Sequence, residues 1–346
     1  MSEKGTTIKS TFGRIWRGID AARRAFVNLL FIAFVIVVLV LILSNDDPEI
    51  ADSTALVVAP KGRLVEQLSG QSIERMLDEA RGVATPETLV KDVTDAIEGA
   101  KDDDRIQVLV LDLNSFSGAR MTKLHDVRDA ILDFKSTGKK VVAVSDNYGQ
   151  DDYYLAAVAD EILMHRMGLI LLEGFGRYKM YYKDGIDRLG VDVHVFRVGE
   201  FKSAVEPYLR DDMSPEAKEA NLEWLGDLWR IYLEDVSEAR GIPAERLEEY
   251  ATEFARLVEE ADGVTADAAL ESGLVDAALT RIEMRERLIE LVGEDEDTHS
   301  YNQIASCQYL ETLDEDRFGR KAKGERVGIV VARGTILDGS HPPGTI

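Results

Sequence analysis

The sequence predicts an α/β fold with a parallel sheet, preceded by a transmembrane helix near the amino terminus. Short apolar runs, typical of buried strands, alternate with amphipathic segments of helical length. This alternation is that of βαβ crossovers, which are right-handed and place their strands in parallel. Near the start, residues 26–43 form an apolar stretch in which Asn28 is the sole polar residue.

This apolar stretch is long enough to cross a membrane. As a helix it spans about 27 Å, close to the hydrocarbon thickness of a bilayer. It exceeds the apolar core of a typical cleaved signal peptide, and no Ala-x-Ala site follows it. Basic residues predominate over 1–25, so the positive-inside rule places the amino terminus in the cytoplasm. We expect a single-pass anchor over 26–43 in the inner membrane and a domain in a periplasm-like space.

The first elements of the exported part are a strand, a helix and a second strand. An apolar run predicts the first strand over 55–59. Thr85 suits a helix cap and Pro86 the first helical position. Three apolar residues repeat on one face of this predicted helix: Leu89, Val93 and Ile97. The second strand is predicted over 106–113.

A further helix and strand follow. The helix is predicted from about Thr122 to Gly138, and its inward face comprises Leu124, Val127, Ile131 and Phe134. The next strand covers 141–144. Because sites in parallel sheets form beyond the carboxyl ends of the strands, we expect one where the segments 114–118 and 146–152 meet.

Two more elements are predicted downstream. Residues 193–198 read as a strand, and the loop after them is a third candidate site segment. Ser214 can cap a helix that Gly241 ends. The core stripe predicted for this helix comprises Leu222, Leu225, Trp229, Tyr232, Leu233 and Val236.

Two segments of the sequence resemble each other, which suggests an internal repeat. The segment LVVAPKGRLVE at 56–66 resembles IVVARGTILD at 329–338 when one gap is allowed. We therefore expect one complete unit over 44–324 and the beginning of a truncated second repeat over 325–346. Chance similarity between two apolar strands is the alternative.

Composition excludes several classes of function. The net charge of -23 disfavours nucleic acid as a partner, because phosphates are held by clustered Lys and Arg. Cys307 is the sole cysteine, so no intrachain disulfide and no cysteine metal cluster can form. The histidines lack paired-ligand spacing, and no P-loop, G-x-G-x-x-G or G-x-S-x-G motif is present. We expect neither a metal nor a cofactor.

Lys202 is the residue most suggestive of catalysis. It follows the break at Gly199 within the segment GEFKSAVEP. A lysine held among apolar groups has a lowered pKa, and its neutral amine can accept a proton from serine. Spacing alone does not separate this role from that of a solvated surface lysine.

A resemblance to a known family adds to this interpretation. The segment VFRVGEFKSAVEPYLRDDMSP at 195–215 resembles the block around the general-base lysine of the long, two-repeat form of signal peptide peptidase A. The likeness extends to the anchor, to DNYGQDDYYLAA at 146–157 and to GVTADAALESGLVD at 263–276. It therefore covers nearly the whole chain.

The resemblance implies a serine endopeptidase with a crotonase-like ββα-superhelix fold. Members of the family degrade cleaved signal peptides in the membrane with a Ser/Lys dyad, taking lysine from the first repeat and serine from the second. Lys202 is then the general base and proton donor. The nucleophile is absent, because Gln150 occupies its place in this first repeat, and the chain alone is expected to be inactive.

The resemblance also bears on two other segments and on the partners. Residues 114–118, NSFSG, resemble the family's Asn-Ser-Pro-Gly-Gly turn, whose amides form an oxyanion hole in the catalytic repeat. Ser203 is disfavoured as a nucleophile because neighbours on an extended chain point to opposite sides. The expected partners are signal peptides, the lipid bilayer and further copies of the chain, a tetramer by family resemblance.

Two alternative functions stay open at the level of sequence. A crotonase-type acyl-CoA enzyme would use a similar scaffold, although an exported domain would not meet cytoplasmic acyl-CoA. A non-catalytic membrane-anchored scaffold subunit would also explain the missing nucleophile.

Overall fold

The computed structural model describes residues 16, 23–39, 50–70, 72–83, 85–196, 198–199, 201–313, 328 and 338–339. The chain divides into two compact units, Met1–Glu49 and Ile50–Ile346. In the first unit, helix α1 covers 23–39, and positions 40–43 of the predicted anchor lie outside the described residues. None of the helices in these ranges is both long and apolar enough to cross a bilayer. The anchor stays a prediction.

A parallel sheet forms the centre of the second unit. Its strands and those of two small sheets are β1 (Thr54–Val58), β2 (Arg63–Val65), β3 (Glu87–Leu89), β4 (Ile106–Asp112), β5 (Lys140–Ser145), β6 (Glu161–His165), β7 (Ala277–Leu279), β8 (Glu294–Asp295), β9 (Ser300–Tyr301) and β10 (Gln303–Ala305). Within the described ranges, six of them form the order β10-β1-β4-β5-β6-β7. Every neighbouring pair is parallel. The predicted α/β fold with a parallel sheet is confirmed.

Helices connect these strands and cover the sheet. They are α2 (Ser72–Ala80), α3 (Val90–Lys101), α4 (Met121–Lys135), α5 (Gln150–Ala156), α6 (Lys183–Arg188), α7 (Pro215–Arg240), α8 (Ala244–Thr252), α9 (Phe254–Glu260), α10 (Thr265–Glu271), α11 (Arg281–Val292) and α12 (Ser306–Thr312). A short 3-10 helix covers Glu206–Tyr208. The ββα superhelix inferred from the resemblance stays a prediction.

Both faces of the sheet are buried. In β4, Leu109 and Leu111 belong to the larger core, which also contains side chains of α3 and α4. Val108 and Val110 belong to a second core beneath α11. Successive strand residues point to opposite faces, so a strand buried on both sides must be apolar throughout.

Most predicted elements are present. The strands predicted over 55–59, 106–113 and 141–144 correspond to β1, β4 and β5. The inward face predicted for α4 is buried at all four positions. Helix α7 begins after Ser214, whose hydroxyl accepts a hydrogen bond from the Ala217 N–H, and ends at Gly241 with φ of 65°.

The predicted start of the helix at Thr85 and Pro86 was wrong. Residues Glu87–Leu89 form β3, which pairs in parallel with β2, and α3 begins only at Val90. The backbone groups of these residues are therefore used in a small sheet before the helix begins. The inward positions Val93 and Ile97 are buried as predicted.

The strand predicted over 193–198 was also wrong. The described residues of this segment have no regular secondary structure, and no strand pairs with them in the part of the chain that the structure describes. Phe196 is 99% exposed and Val198 85% exposed. An apolar run without a neighbouring strand has no acceptors for its backbone amides, so it does not form a sheet.

The core stripe of α7 is confirmed only in its carboxyl-terminal half. Tyr232, Leu233 and Val236 are buried, whereas Leu222 is 73% exposed. Leu225 lines the cleft described below and does not enter the core. The predicted repeat over 325–346 falls outside the described residues except at 328 and 338–339. The unit boundaries at 324 and 325 stay predictions.

Candidate active site

The two predicted site segments meet at the carboxyl edge of the sheet, after β4 and β5. The Asp146 N–H donates to Asn114 Oδ1 at 2.8 Å. The Ala119 N–H donates to Asp151 Oδ2 at 3.0 Å. The expectation that segments 114–118 and 146–152 lie together is confirmed.

The turn at 114–118 is fixed by Gly62, which precedes β2. The Gly62 N–H donates to Ser115 O and the Ser117 N–H donates to Gly62 O, both at 2.8 Å. The Phe116 N–H donates to Leu113 O at 3.2 Å. These two turn amides, at Phe116 and Ser117, therefore have acceptors within the protein and do not act as oxyanion donors in this arrangement.

Gly118 brings this turn against α5. Its φ is 91°, in the region that side chains disfavour. A Cβ atom at this position would lie 2.4 Å from Asp151 Oδ2. Glycine is therefore required both by the backbone conformation and by the close approach of the Asp151 carboxylate.

Gln150, predicted from the resemblance to occupy the place of the nucleophile, is the first residue of α5. Its side-chain Oε1 accepts the N–H groups of Glu173 at 3.1 Å and of Gly174 at 2.7 Å. An amide is not a nucleophile at neutral pH, so no covalent step begins here. Instead, Gln150 ties α5 to the loop after β6.

Buried tyrosines hold α5 in position. The hydroxyl of Tyr148 donates to Leu163 O at 2.9 Å and that of Tyr153 to Leu274 O at 2.7 Å. Tyr232 on α7 donates to the backbone oxygen of Gln150 at 3.0 Å. Buried tyrosines need such partners. Sequence reasoning did not predict these tyrosine hydrogen bonds, although the tyrosines within 146–157 were a signal that could have indicated them.

Two half-buried carboxyl groups, those of Asp151 and Asp152, lie at the start of α5. Burial raises the pKa of Asp152 to about 6, and the Gly149 N–H bonded to its carboxylate acts in the opposite direction. Burial also raises the pKa of Asp151, against the lowering effects of the Ala119 N–H and of Arg63. Both side chains bond backbone amides, so their first role is to fix the turn.

These segments line a cleft of about 780 Å³, termed the peptide cleft below. Its walls include Gly118, Gln150, Asp151 and residues 173–176. Six apolar side chains contribute to it: Phe116, Met121, Phe175, Trp224, Leu225 and Leu228. Polar residues line it in similar number, among them Asp151, Asp152 and Glu173, so the cleft combines apolar contact with polar groups that can orient a ligand. Among the described residues, no set of three His, Cys, Asp or Glu is placed to hold a metal ion.

Lys202 is exposed and is not among the residues that line this cleft. Its chain segment is nevertheless anchored on both sides. Lys179 Nζ donates to Ser203 O at 2.6 Å, and the Tyr182 N–H donates to Pro207 O at 2.7 Å. Ser203 is half-buried. The role of Lys202 as general base stays a prediction.

Comparison with known proteins finds a similarity to one peptidase family. Residues 133–292 match the model of peptidase family S49. The matched range covers less than half of the chain and includes Gln150 and Lys202. The turn at 114–118 lies before the matched range.

Two curated relatives share about a third of their residues with the chain. Protease 4 of Salmonella typhi is 34% identical over 346 residues, which cover 98% of this chain and 55% of that protein. Protease 4 of Haemophilus influenzae is 36% identical over 334 residues, covering 94% and 53%. The chain thus spans about half the length of these relatives.

Solved structures resemble the fold more distantly. A membrane-bound stomatin-specific protease is 12% identical, with a TM-score of 0.38, and the match covers 74% of this chain and 98% of that one. An enoyl-CoA hydratase/isomerase family protein from Silicibacter pomeroyi is 15% identical, with a TM-score of 0.36 and coverage of 71% and 80%.

Proposed function

We propose that this chain is the base-carrying part of a serine endopeptidase that degrades apolar peptides, cleaved signal peptides in particular. The observation that carries the proposal is the match of residues 133–292 to a peptidase family. The apolar side chains of the peptide cleft support it, because an extended apolar segment would lose its contact with water against them.

In the proposed mechanism, Lys202 acts on a serine. Its neutral amine takes the proton of the serine hydroxyl as the oxygen attacks the scissile carbonyl carbon. The resulting ammonium then donates that proton to the leaving amine, so that one group serves as base and then as acid. This requires Lys202 to lose water contact when the complete site forms, since desolvation lowers the pKa of a lysine.

The serine belongs to polypeptide that this chain does not contain. Gln150 supports this part of the proposal, because its amide is inert and already binds the N–H groups of Glu173 and Gly174. A second crotonase-like repeat, of which 325–346 is the beginning, would supply the nucleophile and the oxyanion hole.

We place the peptidase at the inner membrane. Residues 26–43 would anchor it, the amino terminus would face the cytoplasm, and the catalytic domain would lie in the periplasm. This location brings the peptide cleft close to signal peptides left in the bilayer. Assembly into a homo-oligomer, a tetramer by family resemblance, completes the proposal.

A non-catalytic scaffold subunit is the second candidate. The hydrogen bonds of Gln150 favour it, because they engage its inert side-chain amide in holding the loop after β6. A reading frame that continues into a Ser-Gly-Gly turn would support the peptidase, and a stop codon after Ile346 would support the scaffold.

The test is cleavage of a signal-peptide mimic by the product of the full reading frame. We expect the apolar peptide to be cleaved, and a variant peptide with lysines in its apolar core to be spared. Lys202→Ala should lower the rate by roughly 10²- to 10⁴-fold, the usual contribution of a general base. Lys218→Ala, which changes an exposed lysine on α7, is the matched control. Absence of cleavage by the unaltered product would refute the proposal.

A further inference from the structure

A second cleft, termed the basic cleft, adjoins the peptide cleft and differs from it in charge. Its volume is also about 780 Å³, and β2, α2 and the start of α4 contribute to its walls. Five cationic side chains line it: Lys61, Arg63, Arg75, Arg120 and Lys123. Asp78 and Glu87 are the acidic residues of its lining. Such an excess of cations is unusual in a chain whose net charge is -23.

Two of the cations and both acids are used within the protein, Asp78 through an ion pair with Arg81 at 3.9 Å. Lys123 Nζ lies 3.2 Å from Glu66. Arg75 donates to the backbone oxygen of Gly70 at 2.9 Å. The Glu87 carboxylate accepts from the N–H and the hydroxyl of Ser69, at 2.7 and 2.8 Å. These groups shape the wall of the cleft rather than offer charge to a ligand.

The other three cations are exposed and accessible. Lys61, Arg63 and Arg120 make no ion pair with any residue that the structure describes. Arg120 is also the residue before α4, a helix of 15 residues. The amino-terminal end of a helix carries partial positive charge, which adds to that of the guanidinium. An anion in this cleft would therefore meet three cations that form no ion pair among the described residues, and a helix terminus.

The two clefts are continuous. Ala119 and Arg120 line both of them. Arg63, in the basic cleft, lies near enough to Asp151, in the peptide cleft, to lower the pKa of its carboxyl group against the stronger effect of burial. One extended ligand can therefore occupy both, with an apolar part on one side of Arg120 and an anionic part on the other.

We propose that the basic cleft binds a carboxylate of the peptide substrate while apolar side chains of the same peptide fill the peptide cleft. This inference rests on the proposed function and adds a specificity determinant to it. Arg63 and Arg120 are the principal ligands, because a guanidinium binds a carboxylate through two parallel hydrogen bonds. The carboxylate is either the carboxyl terminus of a released peptide or an acidic side chain.

Peptide binding to the product of the full reading frame tests this inference. Fluorescence anisotropy would compare four versions of one labelled apolar peptide: a free carboxyl terminus, an amidated terminus, and amidated peptides with Glu or Gln near that terminus. We expect one carboxylate peptide to bind about tenfold more tightly than its neutral counterpart, as two partly solvated ion pairs would give. Added salt should reduce the difference. Tighter binding of the free-terminus peptide would identify the carboxyl terminus as the bound carboxylate, and tighter binding of the Glu peptide would identify an acidic side chain.

Substitutions test which side chains cause the preference for the carboxylate peptide. The double variant Arg63→Gln, Arg120→Gln should lose the preference for the carboxylate, and an unchanged far-UV circular dichroism spectrum would show that it is folded. Arg256→Gln, which removes an exposed arginine on α9, should keep the preference. Equal affinity for all four peptides, or an unchanged preference in the double variant, would overturn the inference. Cleavage of all four peptides alike would overturn it while leaving the proposed peptidase function intact.

Discussion

Gly118 joins the two turns of the candidate site, and its substitution tests that junction. In Gly118→Ala, the new Cβ would push on Asp151 and weaken the bond from the Ala119 N–H. The positive φ adds a further cost. We expect the free energy of unfolding to fall by about 2–4 kcal/mol in urea denaturation.

Gly138 provides the matched control for this substitution. Its φ is 86°, close to that of Gly118, but a Cβ there would meet no atom within 4 Å. Gly138→Ala should therefore show only the backbone cost, about 1–2 kcal/mol. Equal losses in the two variants would mean that the contact between Gly118 and Asp151 contributes nothing.

Gln150 gives a second prediction at this scale. In Gln150→Ala, the N–H groups of Glu173 and Gly174 lose their acceptor, so we expect a loss of about 1–2 kcal/mol and faster hydrogen exchange at the Gly174 amide. Gln150→Glu keeps an acceptor oxygen and should retain slow exchange. Unchanged exchange in Gln150→Ala would show that the bond does not hold the loop.

At the residue scale, the sequence predicted which residues lie at the site better than it predicted which residues they contact. It placed Gln150 and segment 114–118 in one site, because both follow strands of a parallel sheet. It did not find the bond from Gln150 to residues 173–174, since that loop has no periodic pattern. It also missed the cations of the basic cleft, which lie in or just before β2, α2 and α4 and meet only in the folded chain.

At the scale of elements, an ion cluster joins β5, β6 and α11. Arg287 of α11 donates two hydrogen bonds to Glu161 of β6, at 2.9 and 2.6 Å. Lys140 of β5 also pairs with Glu161. The bonds from Arg287, followed by those of Lys140, lower the pKa of Glu161 to about 2. The cluster therefore favours the folded state whenever this carboxylate is ionised.

The acid dependence of stability tests this cluster. Because the folded-state pKa is depressed, the stabilisation is present above the ordinary value of 4.5 and is lost as the pH falls towards 2. Glu161→Gln should be less stable than the unaltered chain at pH 7, with a gap that shrinks between pH 4.5 and 2. Glu290→Gln, which changes a more exposed partner of Arg287, is the control. A gap independent of pH would contradict the assignment.

Whether a helix or strand could be predicted from the sequence depended on how far away in sequence its packing or pairing partner lies. Helix α4 was predicted well because its apolar face is periodic and wholly buried. The errors at Thr85 and at 193–198 concern strands, whose existence depends on a neighbour far away in sequence. Residues Glu87–Leu89 have such a neighbour in β2, whereas the described residues of 193–198 have none.

At the scale of the molecule, a parallel sheet presents a continuous pair of clefts at one edge. The sheet and its crossovers were predictable from the alternation of strands and helices. The surroundings of Lys202 could not be predicted in this way. This lysine lies outside the peptide cleft, and the chain spans about half the length of its relatives. The proposed function requires Lys202 to lose contact with water and to meet a serine hydroxyl.

Single-turnover cleavage by the full reading-frame product tests the central claim, the role of Lys202, most directly. The assay would compare the unaltered protein with Lys202→Arg, which keeps the positive charge but cannot accept a proton near neutral pH. We predict that Lys202→Arg binds the peptide and fails to cleave it, with a first turnover slowed by roughly 10²-fold or more. A first turnover at the unaltered rate in Lys202→Arg would contradict the account.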